Sequence, residues 1–256
     1  MPNMRALFYR GLYRSFDFCA KLVLRRQSPL EIQGGLFKGM RWGTAATCGS
    51  LTPKLMGTYE RELQSWLESL PVFDLVIDVG AAEGWYAVGL LHRRLARKVI
   101  AFEMSESGRE NLLANVRRNN LSPDSIEVRG ECTVAGLQAM LRSLPADPHF
   151  RLLIISDCEG FEGELLAADT LKLCPNAYLM IETHDFYVPK VHEKLAKNLA
   201  ASHAVTDLRP VRRSRNHLPP TVPWLLRMPP IGRLLMSERR CPGIAWLVAA
   251  PKGQAK

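Results

Sequence analysis

Acidic residues recur in this chain at the ends of short apolar runs, beside turns that carry glycine. The run Leu75-Val76-Ile77-Asp78-Val79 leads into Gly80-Ala81-Ala82-Glu83-Gly84, so Asp78, Gly80 and Gly84 form an Asp-x-Gly-x-x-x-Gly turn. Glycine at two positions permits close backbone approach, and a helix that follows offers unpaired N–H groups. A dinucleotide fingerprint starting at Gly80 would need glycine at 82 and 85, where the chain has Ala82 and Trp85. Asp78 and Glu83 would also repel a pyrophosphate, and they suit a ligand carrying ammonium or sulfonium charge. A second run ends in Phe102-Glu103, where an acid can accept both hydroxyls of a ribose. A third is followed by Gly130-Glu131-Cys132, which in the same arrangement lies near an adenine ring. Each acid alone reads as a solvated surface residue. Three in register with a glycine turn read as a binding site.

Such residues need a scaffold that brings strand ends together. Apolar runs over 75–79, 98–102, 126–128, 152–155 and 178–181 predict five strands. Helical spacing over 86–95, 107–119, 134–144 and 191–202 places a helix after four of them, with Ser105 or Ser107 as the cap of the second. Alternating strands and helices predict a parallel sheet covered on both faces, with ligands beyond the carboxyl ends of the strands. Runs over 205–211 and 243–249 predict two further, antiparallel strands. Between them, 212–242 is rich in Arg and Pro, and prolines at 219, 220, 223, 229 and 230 forbid one long helix. That stretch reads as an insertion, a lid or a partner surface. Upstream, 28–70 is a loop-like lead-in ending in a helix over 58–70. The domain reading is therefore 1–55 for a basic amphipathic helix and lead-in, and 56–256 for the ligand-binding domain with its insertion at 212–242.

The motifs together resemble the FkbM-like family of class I S-adenosylmethionine-dependent methyltransferases. The resemblance rests on Asp78 to Gly84, on Phe102-Glu103 with Leu113, Asn115 and Asn119 downstream, and on Ser156-Asp157-Cys158-Glu159-Gly160-Phe161-Glu162. Ile181-Glu182-Thr183-His184, and upstream Lys38-Gly39-Met40-Arg41 and Gly57-Thr58-Tyr59-Glu60, extend it over about residues 35 to 185. Ala82 departs from it, since the family usually has asparagine there. The resemblance implies a Rossmann-like α/β fold, a seven-stranded, mostly parallel sheet with helices on both faces and an antiparallel last strand. It implies O-methylation of a hydroxyl on a sugar or other small metabolite, with S-adenosylmethionine as cofactor. On that reading Asp78, Gly80 and Gly84 hold the methionine part, Glu103 the ribose, and Glu131 lies beside the adenine. Ala81, Glu83, Met104 and Cys132 join the cofactor site, and Asp157 sits nearest the sulfonium and the acceptor.

A hydroxyl nucleophile has a high pKa, so a base or a metal must help remove its proton. Asp157, Glu159, Glu182, His184 and Asp185 are the candidates near adjacent strand ends, and Asp157, His184 and Glu159 are the residues assigned to catalysis. His184 as a satisfied structural histidine and Glu162 as a helix-terminal charge are the plainer readings of two of these positions. Asp157, Glu182 and Asp185 offer the hard oxygen ligands a divalent cation prefers, but their spacing does not require one and no metal is assigned.

The rest of the chain narrows the class. Its 256 residues are 47% hydrophobic and 23% charged, an ordinary globular composition that excludes wholesale disorder and fibrous architectures. No apolar run reaches the ~18 residues of a conventional spanning helix. Six scattered cysteines without a CxxC pair exclude a zinc ribbon and a redox motif. A net charge of +9 favours acidic partners, whether nucleic acid, anionic lipid or an anionic substrate; the resemblance implies a small hydroxylated acceptor, with an anionic group as an option met by Arg209, Arg212, Arg213, Arg215, Arg227, Arg233, Arg239 and Arg240. The first 27 residues mix apolar positions with arginines and lack a signal-peptide pattern, which leaves peripheral membrane contact open and makes the cytoplasm the default compartment. The competing readings are an RNA methyltransferase, a non-catalytic cofactor-binding scaffold, and a nicotinamide oxidoreductase, the last disfavoured by the missing fingerprint.

Overall fold

The computed structural model describes residues 30–43, 49–228, 231–238 and 243–253. It divides into two compact units, one from the described residues of Met1–Glu68 and Val211–Arg239, the other from those of Ser69–Pro210 and Arg240–Lys256. The sequence places a boundary at 55/56 and groups 212–242 with the second domain; the compact units part at Glu68 and place Val211–Arg239 with the first. The N-terminal amphipathic helix, and with it the membrane contact, falls outside the described residues. Among the described residues no helix is long and apolar enough to cross a membrane.

The larger unit is a seven-stranded sheet of order β3-β2-β1-β4-β5-β7-β6. Its strands are β1 (Phe73–Val79), β2 (Ala96–Phe102), β3 (Ile126–Arg129), β4 (Leu152–Ser156), β5 (Tyr178–Thr183), β6 (His203–Leu208) and β7 (Ala245–Pro251). The pairs among β1 to β5 are parallel, and β7 runs antiparallel to both β5 and β6. This is the mixed seven-stranded sheet expected above. Central strands buried on both faces need apolar residues throughout, and β4 (LLIIS) and β5 (YLMIET) are buried at every position. The edge strands β3 and β6 keep exposed positions.

Helices return the chain between strands. Ahead of the sheet come α1 (Leu51–Met56) and α2 (Arg61–Ser69), both begun in the smaller unit; α3 (Trp85–His92), α4 (Glu106–Arg118) and α5 (Val134–Ser143) follow β1, β2 and β3. The one-turn helices α6 (Glu162–Leu165) and α7 (Ala168–Leu171) follow β4, and α8 (Val191–Leu199) follows β5. Ser105, not Ser107, caps α4: its Oγ accepts the Gly108 N–H at 3.3 Å. Thr133 caps α5 in the same way at 3.1 Å. Ile77, Ile154, Leu179, Leu165 and Leu195 meet in one core on a face of the sheet, each worth about 1.5–3 kcal/mol of burial. That core fixes where the strand ends lie.

Several boundaries differ from the sequence expectation: the strand expected over 205–211 is His203–Leu208 and the helix expected over 191–202 ends at Leu199, and two others shift for visible local reasons. The helix expected from 58 starts at Arg61, because Glu60 adopts a left-handed φ of 46° and its N–H is bonded to Glu238 Oε1 at 3.0 Å. The last strand starts at Ala245 after Gly243, whose φ of 93° makes a turn.

In the smaller unit, 211–238 supplies a short 3-10 turn (Arg215–His217) and two short helices, α9 (Trp224–Arg227) and α10 (Ile231–Leu235). It is anchored there by Arg213. The Arg213 side chain is 10% exposed, pairs with Glu62 at 2.9 Å and with Glu238, and donates from Nε to the Thr58 carbonyl at 3.1 Å. Arg213 therefore holds the unit together rather than waiting for an anionic acceptor.

Candidate functional site

The strand order reverses between β1 and β4, and at such a switch point an α/β sheet opens a crevice beyond its carboxyl ends. The first side of that crevice is the turn after β1. Gly80 has φ 83°, and a Cβ there would overlap the Asp157 carbonyl oxygen at the end of β4. Glycine is needed at 80 so that two strand ends can touch, and the Asp157 N–H donates to the Val79 carbonyl at 2.9 Å across the same gap. Gly84 has φ 87°, and a Cβ there would press into Leu112 of α4. Ala82 is also left-handed, with φ 47°.

Glu103 ties the first two strand ends together. Its Oε2 accepts the Ala82 N–H at 2.8 Å and its Oε1 accepts the Ser105 N–H at 2.7 Å. A carboxylate has about four lone-pair sites, so two backbone bonds leave it able to accept two more. Gly108 of α4 lies against the Glu103 side chain, and Arg109 donates to the Glu103 and Met104 carbonyls at 2.9 and 2.7 Å. These contacts hold the half-buried carboxylate in one place.

The other residues assigned to the cofactor fall into two groups. Met104 is 75% exposed, and Glu131 is exposed beyond β3. Asp78, Ala81, Glu83 and Cys132 are buried, Glu83 completely. Asp78 and Glu83 therefore lie beneath the surface of the turn, and a ligand there meets their field rather than their oxygens. Asn115 of α4 secures the same turn by donating to the Glu83 carbonyl at 3.0 Å. Burial pushes the Cys132 thiol up to about 11 and the Cys158 thiol up to about 12, which leaves neither as a nucleophile at neutral pH.

The second side of the crevice lies past β4 and β5. His184 follows β5 and is only 2% exposed as a side chain. Its Nδ1 is bonded to Glu162 Oε1 at 2.6 Å, and that oxygen also accepts the Gly160 N–H at 3.0 Å. On its other edge, Nε2 faces Glu182 at 3.5 Å, Asp157 at 3.6 Å and Glu159 at 3.7 Å. Burial alone would lower the His184 pKa, but bonded Glu162 and the charges of Asp157 and Glu159 outweigh it and hold the imidazole above its ordinary value. Glu159 is 64% exposed and sits at a left-handed φ of 54°. Phe186 and Tyr187, both exposed, pack near the His184 ring at 5.7 and 6.1 Å between centroids.

Asp157, His184 and Glu159, the assigned catalytic residues, thus converge. Asp185, one of the candidate bases and oxygen ligands, does not join them: its Oδ1 accepts the His192 N–H at 2.8 Å in the first turn of α8. Glu162 is the first residue of α6, the helix-terminal charge its position suggests, and it is also the fully buried partner of His184 Nδ1. The signal for both was the paired pattern Asp-x-Glu-Gly-x-Glu and Glu-x-His. It names the residues but not which carboxylate meets which ring nitrogen. A cleft of about 520 Å³ lies elsewhere, among Leu141, Pro145, Phe150, Cys174 and Ala177 at the amino ends of β4 and β5, the wrong end for a sheet ligand.

No protein-family model matches the chain, and no curated protein sequence matches it either. Solved structures resemble it at low identity. A protein described as a putative methyltransferase, yhhF, from Escherichia coli is 14% identical, with 88% of this chain and 99% of that one covered and a TM-score of 0.49. An rRNA methylase from Streptococcus thermophilus is 13% identical over 75% and 98% of the two chains, with a TM-score of 0.47. An O-methyltransferase from Bacillus cereus, solved in complex with SAH, is 18% identical over 70% and 74%, with a TM-score of 0.45.

Proposed function

We propose that this protein is an S-adenosylmethionine-dependent methyltransferase that methylates a hydroxyl oxygen of a small metabolite. The observation that carries the reading is Glu103, clamped by the amides of Ala82 and Ser105 with two acceptor sites to spare, across the crevice from the His184 cluster. An acceptor-only carboxylate suits a ribose diol and repels a ribose phosphate. The fit is consistent with an adenosine-type cofactor along the ends of β1, β2 and β3.

S-adenosylmethionine supplies a methyl group activated by a sulfonium, whose carbon–sulfur bond breaks with its electron pair staying on sulfur. The remaining work belongs to this chain. Glu103 and the Gly80–Gly84 turn fix the position of the donor. Asp157, at the joint between the β1 turn and β4, stands where donor and acceptor meet. The acceptor's O–H must lose its proton as oxygen attacks carbon, and the Asp157–Glu159–His184 cluster receives it. Alignment of acceptor and methyl carbon is worth up to about 7–11 kcal/mol of barrier, which places the main burden on positioning.

The test is methyl transfer from labelled S-adenosylmethionine to a panel of hydroxylated metabolites, with Asp157→Asn as the comparison. Label appearing on a hydroxyl oxygen, and lost in the variant, supports the proposal. Cofactor binding without turnover on any acceptor favours a non-catalytic scaffold. One observation favours an anionic or RNA acceptor instead, a cavity of about 300 Å³ in the smaller unit lined by Arg215, Arg227 and Arg233. RNA methylation and RNA binding that falls steeply with salt would move that reading ahead.

A further inference from the structure

We propose that Asp157, Glu182 and His184 form a binding site for a divalent first-row metal ion, of the Mn²⁺ class. One ligand atom from each residue lies within 4.8 Å of the others. The decisive feature is His184 Nε2. The side chain is almost wholly buried and Nδ1 is taken by Glu162, yet Nε2 faces three carboxylate oxygens at 3.5, 3.6 and 3.7 Å. None of these is a hydrogen bond, since such a contact at 3.6 Å is too long. A proton on Nε2 would draw one oxygen to about 2.7–2.9 Å and leave the others behind. Near-equal spacing to several oxygens is what a cation between them requires. With metal–nitrogen and metal–oxygen distances of about 2.1 Å and angles of 90–110°, ligand atoms stand about 3.0–3.4 Å apart; the His184 separations of 3.5 and 3.6 Å are close to that, and the three ligand atoms, spread over up to 4.8 Å, draw together by a side-chain adjustment on binding.

The surroundings fit the same reading. A metal-binding histidine usually donates its other ring nitrogen to a carboxylate, which fixes the tautomer. Glu162 does this at 2.6 Å and is itself held by the Gly160 N–H. Imidazole with two carboxylates suits Mn²⁺, Fe²⁺ or Zn²⁺ better than an all-oxygen Mg²⁺ or Ca²⁺ shell. The ligands come from the ends of two paired central strands, β4 and β5, which are buried at every position.

The proposal deepens the methyltransferase reading and rests on it for its role. A cation here lowers the pKa of an acceptor hydroxyl, with His184 and Asp157 as ligands and exposed Glu159 left to receive the proton. Binding itself does not depend on that role, so the test uses Mn²⁺ alone with the chelator-treated full chain, without cofactor or acceptor. Calorimetry should show one saturable site, and pulsed electron paramagnetic resonance should show nitrogen coupling from one imidazole. Glu182→Gln and Asp157→Asn should abolish the site, Glu162→Gln should weaken it about 10- to 100-fold, and Glu164→Gln on exposed surface should not change it. No saturable binding would overturn the site, and so would bound Mn²⁺ without nitrogen coupling. The coupling measurement needs no variant, so a misfolded mutant cannot hide the answer. Mn²⁺ binding in a protein that fails to bind S-adenosylmethionine would keep the metal site and remove the methyltransferase role.

Discussion

Replacing Glu103 should separate cofactor binding from fold stability. Glu103→Ala removes the acceptors of two backbone amides, at 2.8 and 2.7 Å, and with them the acceptors for a ribose. Hydrogen bonds to a charged group are each worth about 1.5–3 kcal/mol. Loss of two such bonds to the ligand weakens affinity by about 3–6 kcal/mol, at least about 100-fold. The freed amides of Ala82 and Ser105 are only part-buried and water can reach them, so the cost to folding should stay near about 1–2 kcal/mol. Glu103→Gln keeps the shape and one acceptor oxygen, so it should lose about 10-fold in affinity and little stability. Calorimetric titration with S-adenosylmethionine reads the first quantity and urea unfolding the second. If Glu103→Ala binds within twofold of the wild type while remaining folded, Glu103 does not hold the ribose and the argument from the strand ends is wrong.

Three other perturbations test separate parts of the account. Gly80→Ala forces a side chain onto a φ of 83° and into the Asp157 carbonyl; strain and overpacking together should cost about 2–5 kcal/mol in urea unfolding, and a loss below about 1 kcal/mol would contradict the contact. Arg213→Ala leaves the Glu62 and Glu238 carboxylates without the guanidinium, and should destabilise the smaller unit by about 3–5 kcal/mol, where an exposed pair would give under about 1. His203 is buried with Nε2 on the Ala177 carbonyl at 2.9 Å and Nδ1 near Ser202 Oγ, and burial, aided by Lys252, holds its pKa below the ordinary 6.5. Below that value the unfolded chain takes a proton the folded chain resists, so stability should fall as pH drops from 7 toward 5, by up to about 1.4 kcal/mol per unit. His203→Gln should remove that part of the slope.

Much of this architecture is legible in the sequence because parallel strands buried on both faces cannot hide their composition. LVIDV, VIAF, LLII and YLMI mark four strands, and the glycine turn after the first marks the crevice. The convergence of Asp157, Glu159 and His184 follows from adjacent strand ends. Other features depend on three-dimensional facts that no spacing carries. Glu60 breaks the start of α2 through a bond to Glu238, which is 178 positions away. Arg213 looks like its neighbours Arg212 and Arg215, and only the fold shows that it pairs with two glutamates. Asp185 and His184 are adjacent in sequence, yet one serves the first turn of α8 and the other faces the carboxylate cluster. The insertion between β6 and β7 reads as polar and proline-rich, and that composition cannot show which unit it packs with.

The measurement that bears most directly on the central claim is calorimetric titration of the wild-type protein with S-adenosylmethionine and, separately, with NADH. Saturable micromolar binding of S-adenosylmethionine and none of NADH is the predicted result. Binding of NADH, or of neither, would contradict it.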